Sequence, residues 1–178
     1  MRRLLLLVST IMLVDTLFYA ALTPLLPHYA DTLGLTKTGA GVLTAAFGVG
    51  TLAGSIPAGM LAARTGPKPV ALLGLALLSA TSLAFGFGHS IAILDAARFC
   101  QGFGGACTWT GALAWLVSRA PRERRGELIG SALGAGIAGA LLGPLVGGAA
   151  ASFGTRPVFG AVAAVGVGIG RASCRERV

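Results

Sequence analysis

Charge is scarce in this sequence. Of its 178 residues only 11% are charged, where a soluble domain carries about 25%. That shortfall argues against an ordinary water-soluble fold. Histidine is nearly absent too: His28 and His89 are the two present, and both fall between apolar runs. An intramembrane serine protease needs a helix-borne histidine late in the chain, and none follows the fourth run. Cysteine is equally thin. Cys100 and Cys107 stand seven apart on one predicted helix, too far along it to bridge, and are most simply small packing residues. The formal charge is +8, yet the basic residues sit in short loops between apolar runs, so nucleic acid is not an expected partner.

In place of charge there is grease and glycine. Hydrophobic residues make up 54% of the chain, with a mean hydropathy of +0.81, and the apolar runs are about 20 residues long, enough to span a bilayer. The 28 glycines suit helices that pack closely in lipid; in a soluble helix each would cost about 1 kcal/mol relative to alanine. The expected fold is therefore all-α and polytopic, with the lipid bilayer as its first partner. Six spans are read at about 4–27, 39–62, 70–87, 91–117, 128–153 and an incomplete 157–168. The first has the Arg2-Arg3 start of a signal peptide but runs on past Asp15 without a small-residue cleavage site. Pro24 and Pro27 are expected to close it, with a polar loop from His28 to Thr38. Arg64 to Pro69 reads as a tight turn.

With these spans one side of the membrane collects Arg2, Arg3, Arg64, Lys68, Arg119, Arg122, Arg124 and Arg125, and the other only Lys37 and Arg156. The positive-inside rule then puts the N-terminus in the cytoplasm and the protein in the cell (inner) membrane. The chain ends oddly. Ile169-Gly-Arg-Ala-Ser-Cys-Arg-Glu-Arg-Val178 turns charged where the sixth span should still be in lipid, and the decapeptide resembles a translated short-read sequencing adapter. Residues 1–168 are accordingly read as one natural transmembrane unit and 169–178 as a non-native tail. The alternative is a basic cytoplasmic anchor.

Three polar groups stand inside apolar runs, where ionisable side chains are costly and mark function by default. Asp15 should lie near the bilayer midplane, with Phe18, Tyr19 and Leu22 on its face. It is read as a proton- or cation-binding carboxylate, against the alternative of a carboxylate hydrogen-bonded for packing. On the fourth span Asp95, Arg98, Gly102, Gly105 and Trp109 share one sector. Arg98 requires a carboxylate, a carbonyl or water, and a local Asp95–Arg98 pair would meet that need. On the fifth span Gly139, Gly143 and Gly147 recur every four residues with Gly136 nearby, leaving one face bare, and Pro144 is expected to bend the helix.

These stretches, in order, resemble signatures of the major facilitator superfamily. Gly59-Met-Leu-Ala-Ala-Arg64-Thr-Gly66-Pro-Lys68 is similar to its cytoplasmic gate loop, glycine-x-leucine-alanine-aspartate-arginine-x-glycine-arginine-lysine. Ala63 replaces the aspartate and Pro67 a basic residue, so the aspartate's gate contact does not carry over. Arg98-x-x-Gln101-Gly102 resembles the fourth-helix signature. Asp15 with Pro24 and Pro27 resembles the first helix of multidrug and vesicular amine exporters. Gly139-x-x-x-Gly143-Pro144-x-x-Gly147-Gly148 matches the antiporter signature of drug/proton exporters at every fixed position.

The resemblance implies the six-helix N-terminal half of a twelve-helix fold, in which two halves rock about a midplane site. It implies proton-coupled efflux of small, cationic or lipophilic molecules, without a bound cofactor, enzymatic chemistry or a metal, and driven by the proton gradient. Asp15, Arg98 and Asp95 would couple proton and substrate. Phe18, Tyr19, Gln101 and Trp109 would line the site. The glycine face of the fifth span would slide on a C-terminal half that this chain lacks, so the fragment alone is expected to be inactive. A sugar or metabolite uniporter or symporter of the same superfamily is the alternative, which the fifth-span signature disfavours.

Overall fold

The computed structural model describes residues 1–175. Helix α1 covers Arg2–Ala20; a 3-10 turn, Thr23–Leu25, leads into α2, Leu26–Leu33. The long helices α3 (Lys37–Thr65), α4 (Pro67–Phe87), α5 (Ile91–Arg119), α6 (Arg125–Phe153) and α7 (Thr155–Arg175) follow, with a second 3-10 turn at Arg122–Arg124.

Among the described residues, five segments are long and apolar enough to cross a membrane: Arg2–Leu33, Lys37–Thr65, Pro67–Phe87, Arg122–Phe153 and Thr155–Cys174. Helix α5 is not among them although it is 29 residues long. It carries Asp95, Arg98, Gln101 and two threonines, and it can do so because it is the enclosed helix of the set. Arg98, Gln101 and Thr108 are all buried on it, flanked by α3 and α4.

The helix directions follow from residues in contact. Asp15 meets Thr108 while Tyr19 meets Arg98, so α1 and α5 are antiparallel. Gly50 abuts Phe99 and Gly54 abuts Phe103, so α3 and α5 are parallel. Gly139 lies on Leu13 and Gly147 on Ala21, making α1 and α6 parallel as well. Gly74 touches Thr108 while Gly111 touches Ala71, and Gly166 touches Ser79 while Gly86 nears Phe159; α4 is thus antiparallel to both α5 and α7. These relations fit six alternating crossings. They put the eight basic residues named above at one end of the bundle and Lys37 and Arg156 at the other.

Three boundaries differ from expectation. The chain does not become a polar loop at His28. Pro24 and Pro27 sit in the first turns of their helices, where a missing N–H costs nothing, and helix runs on to Leu33. Gly34 then stops it in the left-handed conformation at φ 68°, as a glycine C-cap does. The turn at Arg64–Pro69 contracts to the single residue Gly66 at φ 91°, with Arg64 in the last turn of α3 and Lys68 in the first turn of α4. Helix α7 continues beyond residue 168 to Arg175, so part of the adapter-like tail is helical; Glu176–Val178 lie outside the described residues.

The larger correction concerns the glycine stripe. Its bare face is occupied within this chain. A Cβ at Gly139 would overlap the Leu13 carbonyl, one at Gly143 the Ala20 side chain, and one at Gly147 the Ala21 carbonyl. Small residues let two backbones approach, and here the second backbone is α1. Gly148 has nothing within 4 Å of such an atom, and Pro144 is exposed. The face of α6 left uncovered carries Ile137, Leu141 and Leu145, 64%, 74% and 69% exposed. On α3 the exposed face carries Val49, Leu52 and Ile56.

Candidate functional site

Asp15 is 5% exposed and hydrogen-bonded at both oxygens. Thr108 donates to Oδ1 from 3.0 Å and the Trp109 indole N–H to Oδ2 from 3.0 Å. Both donors come from consecutive residues of α5. Gly105, one turn earlier, has no side chain to separate the helices, and an added Cβ there would stand 3.6 Å from the carboxylate. Asp15 opens onto a cavity of about 280 Å³ lined also by Thr16, Tyr19, Phe47, Thr51, Ala106 and Trp109. The lining is mainly apolar and aromatic with one carboxylate, the composition of a small-molecule site.

Arg98 lies one layer away, 2% exposed. Its guanidinium stands over the rings of Tyr19 and Phe47, 5.3 and 5.0 Å from their centroids, and Nη1 donates to Gln101 Oε1 at 2.6 Å. Aromatic faces and a neutral amide partly offset the cost of burying the cation. The expected Asp95–Arg98 pair does not form: the only ion pair among the described residues joins Arg124 to Glu127 at 2.7 Å. Asp95 Oδ1, Arg98 Nε and Gln101 Nε2 have no hydrogen-bond partner among the described residues. Successive helical turns place Asp95 and Arg98 on neighbouring surface positions, but Arg98 extends toward α1 and α3 instead.

Of the four residues expected to line the site, Tyr19 and Trp109 do so. Phe18 and Gln101 do not. Phe18 is 3% exposed and packs edge-on against Phe85 and Phe159, with centroids at 5.8 and 5.3 Å. Gln101 and Leu22 border the same closed seam. The reason is angular. Residues three and four after Asp15 lie on either side of it around the helix, so Phe18 turns toward α4 and α7 while Tyr19 turns toward α3. Thr108, Phe47, Thr51 and Thr16 were missed by sequence reasoning. All but Thr16 come from other helices, and periodicity within one helix does not report on contacts between two.

At the basic end, Lys68 lies 5.7 Å from the Trp115 ring centroid and reaches the Cys174 carbonyl at 3.5 Å. Both residues border a groove of about 410 Å³ with Gly66 and Arg119. Gly59 and Arg64 are exposed on α3. Cys107 is buried beside Ala58 and Val70, as a packing residue should be, and Cys100 is exposed.

A sequence profile of the Major Facilitator Superfamily matches residues 8–170 of this helical, membrane-spanning chain. The chain belongs to the major facilitator superfamily. Superfamily members are transporters, and the cavity beside Asp15 lies in what is a half-domain of the superfamily fold. Among curated relatives, the quinolone resistance protein NorA of Staphylococcus aureus is 30% identical over 144 residues, covering 81% of this chain and 37% of NorA. The uncharacterized MFS-type transporter C18.02 of Schizosaccharomyces pombe is 31% identical over 140 residues, 75% of this chain and 31% of that protein. The chain thus spans about a third of the length of these superfamily relatives.

Proposed function

We propose that this chain is the N-terminal half of a proton-coupled exporter. It would move small lipophilic or cationic molecules out across the cell (inner) membrane by alternating access, with its N-terminus in the cytoplasm and a second half completing the site. The observation that carries the reading is Asp15, a buried carboxylate facing an aromatic cavity. A carboxylate there is costly while charged, and either a proton or a cationic substrate removes the cost. Two ligands competing for one charge is the elementary requirement of exchange. Tyr19, Phe47 and Trp109 supply apolar and cation–π contacts suited to a flat organic cation. The name of NorA, a quinolone resistance protein, supports the drug-efflux class. The driving force is the proton gradient, with no bound cofactor. Arg98 and Asp95 assist coupling from one layer away, and Gly59, Arg64, Gly66 and Lys68 form the cytoplasmic gate loop.

The test requires the coding sequence read on past codon 168. Expressed in efflux-deficient cells, the complete protein should extrude a fluorescent lipophilic cation, and a protonophore should stop it. Asp15→Asn should insert normally yet abolish extrusion. Undiminished extrusion by Asp15→Asn would remove Asp15 from the coupling, and competition by sugars but not by lipophilic cations would overturn the substrate class.

A further inference from the structure

Thr108 has one hydroxyl proton and three acceptors for it. Its Oγ1 lies 3.0 Å from Asp15 Oδ1, 2.9 Å from the Gly105 carbonyl and 3.2 Å from the Gly104 carbonyl. Fully buried, it has no bulk water to exchange with. A hydroxyl both donates and accepts, whereas the Trp109 indole only donates. The two partners of Asp15 are therefore chemically unequal.

When the carboxyl is ionised, Oδ1 accepts from Thr108 and Oδ2 from Trp109. When it takes up a proton, one oxygen must become a donor. At Oδ2 the new O–H would face the indole N–H, donor against donor. At Oδ1 it faces Thr108 Oγ1, which can accept it, while the hydroxyl proton swings to the Gly105 or Gly104 carbonyl. Every polar atom of the cluster then keeps a partner in both states. The balance is simple: one proton is gained from water reaching the cavity, one O–H bond forms on Oδ1, and Thr108 reverses its hydrogen bond without losing its own proton.

We propose that Thr108 is the positioning residue that fixes the proton of Asp15 on Oδ1, so that the Trp109 hydrogen bond to Oδ2 persists through the cycle while the charge beside the indole changes. This rests on Asp15 being the titrating group of the proposed exchange. The charged and titratable groups around it are few: Tyr19 on its own helix and Arg98 on α5, the latter stacked on Tyr19 and Phe47. Helix α3 presents Phe47 and Thr51, α6 presents Gly136 beside Trp109 and Thr16, and α4 presents Gly74 against Thr108, none of which titrates.

The indole on Oδ2 supplies the assay. Trp109 and Trp115 are the only tryptophans, so Trp115→Phe leaves one reporter beside the carboxyl. The 178-residue chain would be placed in lipid nanodiscs and its emission followed against pH, with helicity checked by circular dichroism. The expected result is a midpoint that disappears in Asp15→Asn. In Thr108→Val, which keeps the shape facing Gly74, it should move to higher pH by about one unit, because the lost bond to the ionised form is the stronger one. Thr108→Ser, with the hydroxyl restored, should return it to the starting value. A midpoint unmoved by Thr108→Val, a serine variant that behaves like valine in a folded chain, or no Asp15-dependent midpoint at all would overturn the inference. Because nothing is transported in this assay, its outcome is separate from that of the efflux test.

Discussion

Thr16 on α1 donates its hydroxyl to the Gly136 carbonyl of α6 at 2.6 Å, closer than to the carbonyls of its own helix at 2.8 and 3.2 Å. Such an approach is open because Gly139 brings no side chain to the seam, where a Cβ would collide with Thr16 Oγ1 and the Leu13 carbonyl.

The seam should therefore be intolerant of even a methyl group. Gly139→Ala places a Cβ on the Leu13 carbonyl and Thr16 Oγ1, and is expected to cost about 1–3 kcal/mol through overpacking. Gly148→Ala, next to Gly147 but turned away from α1, meets nothing within 4 Å and should be neutral or stabilising by up to about 1 kcal/mol from helix propensity. Denaturant unfolding in mixed micelles measures both. Equal loss in the two variants would mean that the stripe matters for some reason other than the α1 contact.

Arg98→Lys is not a conservative change here. Lysine keeps the charge but loses the planar group that lies over Tyr19 and Phe47 while bonding Gln101. A loss of about 1–3 kcal/mol is expected, read as a lowered thermal midpoint in detergent. Asp95→Asn should leave that midpoint nearly unchanged, since Asp95 makes no ion pair with Arg98 in the structure.

The orientation proposed above is checked with reporters. A fluorescent protein fused after Gly126 should fold and emit, and secreted alkaline phosphatase fused after His89 should be active. Exchanging Arg122, Arg124 and Arg125 for glutamine should weaken that preference by reducing the charge bias of the flanking loop. The reverse pattern would place the basic end outside.

Much of the fold was legible because each helix reports its own composition. Runs of apolar residues gave the crossings, and the turn holding Gly66 was placed correctly, whereas the stop at Gly34 was missed because Pro24 and Pro27 were expected to close the first span. Helix α5 was read as a span at about 91–117 although its polar residues weaken its apolar signal. What could not be read was which helix each face meets. The stripe at Gly139, Gly143 and Gly147 signals close approach by some backbone, and nothing in its spacing names α1. Asp15 was legible as costly, yet its partners Thr108 and Trp109 lie 93 and 94 residues away. Phe18 was misjudged for the same reason: lining a cavity and filling a core call for the same aromatic ring, and only the neighbouring helices decide between them.

The interlock of α1 and α6 has a mechanical meaning. Backbone set against backbone, with no side chains to swivel between, cannot shear gradually; it holds or it parts. The leucine flank of α6 on the other side is a cushion of rotatable groups that can slip over a neighbour in small steps. Motion imposed on that cushion would be passed through the glycine joint undiminished, and the passenger on the far side is Asp15.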